Sequence, residues 1–320
     1  MLSNVSFKIK MYTVTKFLYD KFPWVYRLRQ SLDKIVESVV LSIDKLYYAK
    51  REFRRVFHRR MDLVHPKNLV EKFYWIERNA DLSLISKCSD KERVRDFVKE
   101  RGCGEILNTL YGRWDNPEEI DFNTLPQCFI LKPNNGSGDT VIVKDKDLVS
   151  ESDIIAYLRR VIDNRYGLHN AQNHYRLIKP SIIAEKLLPV ENAPCGSSLV
   201  DYKVWCFNGV PKYVLVIYDR TKEHASIALF NTDWKPLPQY LKPTNHLNYR
   251  PDIQIHPPKS LSKMLSYASI LSKGFPEVRV DFYEVSNNPI FGEMTFTTGY
   301  GYFTDEFYNH LGDLTDLSIL

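Results

Sequence analysis

Long apolar runs are missing from this 320-residue sequence. No stretch reaches the roughly 18 apolar residues that a transmembrane helix needs. The start of the chain lacks the apolar core and small-residue cleavage site of a secretory signal, so a cytoplasmic protein is expected. Cysteine is scarce: five residues (88, 103, 128, 195 and 206) with no CxxC pair and no histidine at metal-ligand spacing. That excludes a zinc knuckle and a disulfide framework. Cys128 and Cys206 lie in apolar runs, which predicts free, buried thiols. Glycine is also sparse, 13 residues in all, and forms neither a P-loop nor a dinucleotide fingerprint. The eight histidines are isolated, and no Ser/His/Asp elements suggest a nucleophilic triad. There is no internal repeat, low-complexity tract or disordered composition.

What is present is an aromatic-rich globular chain, 44% hydrophobic with 20 Tyr and 17 Phe, long enough for about two domains. Its net charge of +5 is uneven. Residues 1–60 hold fourteen Lys/Arg against five Asp/Glu, a net +9, which leaves −4 for the remainder. By composition the body is not a nucleic-acid-binding surface. The spacing of Leu32, Ile35, Val36, Val39, Ile43, Leu46 and Tyr47 predicts a helix from Ser31 that continues to Arg60. Its basic end either lies on an anionic membrane surface or forms a solvated face of its own domain.

Further along, Pro66 can open a helix with Leu69, Val70, Phe73 and Ile76 inward. Ser89-Asp90 can cap another that closes at Gly102. Glu105–Tyr111 reads as a strand, and Asn116-Pro117 opens a short helix. Gln127–Leu131 and Val141–Lys144 read as strands around Lys132-Pro133-Asn134-Asn135-Gly136-Ser137-Gly138-Asp139-Thr140. Such a loop can bring backbone N–H groups to phosphate oxygens, or it is a purely structural hairpin loop. Lys132 adds a point charge at the strand end. A helix over 152–166 precedes the strand Ser181–Leu187, in which Glu185 interrupts an apolar run. Glu185 is either a strand-end charge or a contact to a polar ligand edge. Residues 189–198 read as a hinge. Asp201–Phe207 turns at Asn208-Gly209 into Pro211–Arg220, with Asp201 and Lys203 on one face. A strand near Ala225–Phe230, a Pro-rich loop over 231–257 and a helix over 258–273 follow.

The densest pattern is Pro276–Gly301, two alternating runs around Ser286-Asn287-Asn288-Pro289. Pairing outward from Asn287 sets Asp281 opposite Glu293 and Arg279 opposite Thr295, all on one face. Facing carboxylates repel and call for a proton or a cation between them. Hard oxygen ligands suit Mg2+, which takes one or two carboxylates plus substrate phosphates. The alternative is a solvated hairpin with unrelated charges.

In this order, the pieces resemble the ATP-grasp superfamily, and within it the TupA-like family associated with teichuronopeptide and other surface-polysaccharide biosynthesis. The resemblance runs from about His65 to Gly312. It is carried by Glu71-Lys72, Asp90–Arg95, Phe129–Gly138, Asp201-Tyr202-Lys203, Val278–Phe282 and Phe291–Thr297. It implies an α+β, ATP-grasp fold whose two α+β subdomains sandwich the nucleotide, after an N-terminal helical segment. The implied division is 1–64, a basic helical segment; 65–126, an N-terminal subdomain; 127–188, a glycine-loop lid; and 189–320, a C-terminal subdomain with the metal site.

The resemblance also implies roles. Lys91 and Lys132 would reach ATP phosphates under a loop carrying Gly136, Ser137 and Gly138. Glu185 and the backbone of Lys186 to Leu188 would meet adenine. Asp201 would meet the ribose and Lys203 a phosphate. Asp281, Glu293 and Thr295 would hold Mg2+, and Arg279, joined by Arg220, would stabilise an anionic intermediate. Thr295 stands where many superfamily members carry Asn. The implied reaction is carboxylate activation by ATP to an acylphosphate, then attack by an amine. The implied partners are ATP, a carboxylated sugar or polysaccharide precursor and an amine, with peripheral membrane contact through residues 1–60 open. Two other readings stay open: a glycosyltransferase of polysaccharide assembly, and a nucleotide-binding protein without catalysis.

Overall fold

A computed structural model describes residues 39–162, 166–168, 170–190, 198–221 and 223–320. The helix start at Ser31, Cys195 and most of the 189–198 hinge lie outside the described residues. The chain divides into two units, Met1–Glu52 and Phe53–Leu320.

In the first unit a helical turn over 39–43 is interrupted before α1 (Tyr47–Phe57) begins. The expected continuous helix therefore breaks at Asp44, and α1 ends three residues short of Arg60. The cause is local: the Asp44 carboxylate accepts the Leu46 N–H at 2.9 Å and its carbonyl accepts the Tyr47 N–H at 3.0 Å, restarting the helix.

The second unit begins within α1, at Phe53, and continues with α2 (Leu69–Asn79), started by Asn68 rather than Pro66. Asn68 and Glu71 form a reciprocal capping box, and the buried Glu71 also accepts N–H groups from Asp62 and Lys67. Leu69, Val70, Phe73 and Ile76 are buried, as the spacing predicts. Next come α3 (Ser83–Ser89) and α4 (Val94–Glu100). The strand expected over 105–111 is displaced: Gly104–Ile106 is a 3-10 turn and β1 covers Leu110–Trp114.

β1, β2 (Phe129–Pro133), β3 (Val141–Val143) and β4 (Ile182–Lys186) make a four-stranded antiparallel sheet in the order β1-β4-β2-β3. Helix α5 (Glu151–Val161), N-capped by Ser150, packs Ile154 and Leu158 onto it. Cys128 enters β2 exposed, not buried as expected, because the buried alternation of this strand begins one residue later at Phe129.

A second sheet takes the order β10-β9-β5-β6-β7-β8. Its strands are β5 (Asp201–Phe207), β6 (Val210–Tyr218), β7 (Ala225–Asn231), β8 (Leu247–Asn248), β9 (Val278–Val285) and β10 (Asn288–Thr295). Helix α6 (Leu261–Ser272) covers one face, packing Met264, Ala268 and Leu271 against Val204, Cys206, Val278 and Val280. α2, α3 and α4 add Ile76, Ile85, Val94 and Phe97 to the same core. Alternation then sends Lys203, Trp205, Arg279 and Asp281 to the other face. Helix α7 (Asp305–Leu314) packs on α2.

The β9–β10 hairpin shows how the charged face is set. Its turn is Ser286-Asn287, both with positive φ (51° and 62°), as a two-residue primed turn requires. From that turn, Phe282 pairs with Phe291. Continued straight, this register would set Asp281 opposite Gly292 and turn Glu293 into the core. A bulge between Phe291 and Glu293 inserts one residue, restoring Asp281 opposite Glu293 and Arg279 opposite Thr295. Parity switches with it, so Phe291 and Met294 both face the core. Gly292 is the extra residue, and a Cβ there would lie 3.1 Å from the Asp281 carbonyl oxygen.

Candidate nucleotide site

Three strands of the large sheet build a row of charged side chains. Across β10, β9 and β5 the register reads Glu293, Asp281, Lys203, and the next row reads Thr295, Arg279, Trp205. Lys203 Nζ lies 2.5 Å from Asp281 Oδ2 and 3.7 Å from Asp201 Oδ2. Arg279 reaches Asp281 Oδ1 through Nε at 2.7 Å, and one of its terminal nitrogens reaches Asp281 Oδ2 at 2.8 Å. The same guanidinium donates to Thr295 Oγ1 at 3.1 Å, and Thr295 donates to Glu293 Oε1 at 3.1 Å.

The facing carboxylates are therefore compensated inside the chain, by Lys203 and Arg279, before any cation is considered. Burial pushes the Asp281 carboxyl up, but the Arg279 and Lys203 charges outweigh it and hold it below the usual range. Burial opposes the Arg279 charge too, and Asp281 more than offsets that. Glu293 is the more accessible carboxylate, with 37% of its side chain exposed against 3% for Asp281.

The other wall comes from the small sheet. Lys132 on β2 and Glu185 on β4 lie diagonally across the pair, with Nζ 2.7 Å from Oε2. Arg95 on α4 meets Glu185 Oε1 at 3.3 Å and the Asn108 carbonyl at 2.6 Å. Glu185 is thus a buried, doubly paired carboxylate. Lys186 uses both its backbone groups on the neighbouring loop: its N–H donates to Thr109 at 3.0 Å, and its carbonyl accepts from Asn108 at 2.9 Å. These bonds compete with the adenine contact expected of the Lys186 backbone.

The glycine loop joins β2 to β3. Lys91, in the turn before α4, ties to it twice: its N–H donates to the Asn134 carbonyl at 2.9 Å and its ammonium to the Gly136 carbonyl. Buried Asn134 fixes the loop base through Ser181 and Lys179. Gly136 and Gly138 adopt φ of +86° and +91°, which side chains resist. Burial lowers the Lys91 pKa, opposed first by the Glu293 charge, while Lys132 adds to the lowering. Lys91, Lys132 and Glu293, taken from three distant parts of the chain, therefore share one electrostatic neighbourhood.

Arg220 pairs with Asp201 at 2.5 Å, and Asp201 lies 3.7 Å from Lys203 Nζ, so Arg220 meets the charged row through Asp201. Burial and then Asp201 raise the Tyr283 phenol well above its usual range. Three further residues went unread in the sequence. Glu277, two residues before Arg279 and on the same face, accepts the Trp205 indole N–H at 2.5 Å, and burial lifts its pKa to about 8. Extending the parity of Arg279 and Asp281 by one step would have found it. Arg95 and Tyr166 had no such signal, since each meets its partner only through the fold.

The donor set fits a hard cation in chemistry: two carboxylates and a hydroxyl on adjacent strands. Among the described residues no group of three or more His, Cys, Asp or Glu converges on a metal position. A cation here would complete its shell with water or phosphate oxygens. Among those residues no helix is long and apolar enough to cross a membrane.

Residues 71–316 match the family model described as TupA-like ATPgrasp. No curated protein matches the sequence significantly. Among solved structures, Bacillus anthracis D-alanine–D-alanine ligase complexed with ATP aligns at TM-score 0.40 and 14% identity, over 71% of this chain and 63% of that one. N5-carboxyaminoimidazole ribonucleotide synthetase from Thermus thermophilus aligns at TM-score 0.41 and 12% identity, over 72% and 52%. The ATP-grasp ligase PsnB with minimal precursor, Mg and ADP aligns at TM-score 0.34 and 14% identity, over 66% and 50%. The chain thus spans less than two thirds of each of these proteins.

Proposed function

The chain belongs to the TupA-like ATP-grasp family, and from that premise we propose an ATP- and Mg2+-dependent ligase that joins a carboxylate to an amine through an acylphosphate. The observation that carries this reading is the row Glu293, Asp281, Lys203 with Arg279 beside it. Phosphoryl transfer needs positioned charge more than a covalent nucleophile, and this face supplies charge of both signs on rigid strands.

In this reading, subdomains 127–188 and 189–320 grip the nucleotide, with residues 65–126 contributing Lys91. Lys91 and Lys132 bind phosphate oxygens, and the backbone of Gly136, Ser137 and Gly138 closes over them. Glu185 and the chain from Lys186 to Leu188 line the adenine, Asp201 takes the ribose, and Lys203 turns from Asp281 to a phosphate. Asp281, Glu293 and Thr295 would hold Mg2+, which when bound neutralises the phosphate charge. Arg279 then orients the carboxylate and stabilises the anionic intermediate, with Arg220 supporting the cluster through Asp201. The family resemblance supports a carboxylated sugar or polysaccharide precursor as the acceptor of phosphate and an amine as the attacking group, in surface-polysaccharide assembly.

The test is ADP release across a panel of uronic acids and amines, with hydroxylamine present to trap an acylphosphate. ADP and hydroxamate formed together, only with a carboxylate present, are expected. Sugar-nucleotide turnover without ATP consumption would overturn the ligase reading.

A further inference from the structure

Residues 166–168 and 170–178 fall between α5 and β4 in the sequence, and the roles assigned above do not use them. One of their two tyrosines packs on the glycine loop, and the other packs on the first. A Cβ on Gly136 would fall 2.8 Å from Tyr166 Cδ2 and 3.0 Å from Cε2, so the ring packs directly against that glycine. The Tyr166 hydroxyl is 3.2 Å from Ser137 Oγ. One side chain thus touches two consecutive loop residues, and Lys91 holds the Gly136 carbonyl. The Tyr166 ring meets Tyr175 edge-on, with centroids 4.9 Å apart and planes at 81°. Tyr175 in turn packs on the buried His174 ring, with centroids 4.2 Å apart.

The segment is fixed to the body at several points. Gln172 N–H donates to the Gly167 carbonyl at 2.8 Å, and Gln172 Nε2 donates to Thr297 Oγ1 at 2.8 Å. Asn173 Nδ2 donates to the Glu77 carbonyl at 3.1 Å, and the buried His174 is paired through Nδ1 with the Glu77 carboxylate. α2 and the bend that follows β10 therefore hold the segment of the two tyrosines in place.

We propose that Tyr166, braced by Tyr175, is a positioning residue that sets the height of the Gly136-Ser137 loop over the phosphate side of the site. This rests on the nucleotide reading above. The ring limits how far the loop can fall back, and the hydroxyl orients Ser137. The effect is confined to the polyphosphate, because the adenine wall at 185–188 lies on another strand.

The test is calorimetric binding of a non-hydrolysable ATP analogue with Mg2+, and of AMP, to the full chain. Tyr166→Phe should weaken the triphosphate about threefold and Tyr166→Ala at least about tenfold, from the loss of one hydrogen bond and then of the ring contact as well. AMP affinity should hold in both. Tyr166→Phe combined with Ser137→Ala should be no weaker than either alone, because both remove the same bond. Gln172→Ala, which frees the brace, should fall between the two Tyr166 variants. Equal losses for AMP and the triphosphate would mean a general structural role and overturn the proposal, as would no loss in Tyr166→Ala. If the unsubstituted chain binds neither ligand, the nucleotide reading fails and the inference falls with it.

Discussion

Asp281→Asn and Glu293→Gln remove one carboxylate each from the same row, and the structure separates their effects. Asp281 is 3% exposed and pairs with Lys203 and Arg279, both 9% exposed. Neutralising it leaves two buried cations short of their shared partner. Breaking a buried pair from one side costs about 3–5 kcal/mol. For a chain of this size that lowers the melting temperature by about 5–8 °C. Glu293 gives up one hydrogen bond from Thr295 and a 3.6 Å contact with Arg279, at 37% exposure. Its loss costs about 0–1 kcal/mol, or no more than about 3 °C. Thermal melts at pH 7, followed by circular dichroism, read both. A second arm adds Lys203→Met to Asp281→Asn, which removes one stranded cation and should recover part of the loss. Acid adds a third. The Asp281 pKa is lowered on folding, so its contribution is fully present above the unfolded value near 3.8 and is lost as pH falls through the folded one. The Asn variant should lack that share of the acid-side decline. Equal melting of Asp281→Asn and the unsubstituted chain would refute the buried-pair argument.

Other outcomes follow from the same geometry. Glu277 titrates in the opposite sense: its folded pKa of about 8 exceeds the unfolded value near 4.5, so stability should fall as pH rises between them. The full difference is about 5 kcal/mol, and Glu277→Gln, which keeps an acceptor for Trp205, should flatten that slope in urea titrations at pH 5 and pH 8. Gly312→Ala would put a Cβ 2.0 Å from the Lys67 carbonyl oxygen, where α7 crosses the start of α2. Overpacking against backbone should cost about 1–3 kcal/mol or more, read as an earlier urea midpoint.

The hairpin that carries the chemistry was legible because strand alternation is rigid: Asp281, Glu293, Arg279 and Thr295 fall where outward pairing puts them. The reason was hidden. The true turn is one half-step from Asn287, and only the bulge at Gly292 restores the register. Most strands could be read from apolar runs and turn residues, and β2 and the β5–β6 turn fall close to expectation. Strand order could not. That β5 lies beside β9 brings Lys203 to Asp281 across 78 residues of sequence, and this answers the facing carboxylates without a cation. The same holds for Arg95 and Glu185, 90 residues apart. Local signals failed where a side chain competed with the backbone, as Asp44 does in breaking the expected helix and Asn68 does in displacing Pro66 as its start.

The most direct measurement of the central claim needs no acceptor substrate. ATP affinity is measured calorimetrically with and without Mg2+, for the unsubstituted chain and for Glu293→Gln, whose fold should survive. Binding that Mg2+ strengthens in the unsubstituted chain, with the strengthening lost in Glu293→Gln and the Mg2+-free affinity kept, is expected. An unchanged Mg2+ effect in Glu293→Gln would contradict the account.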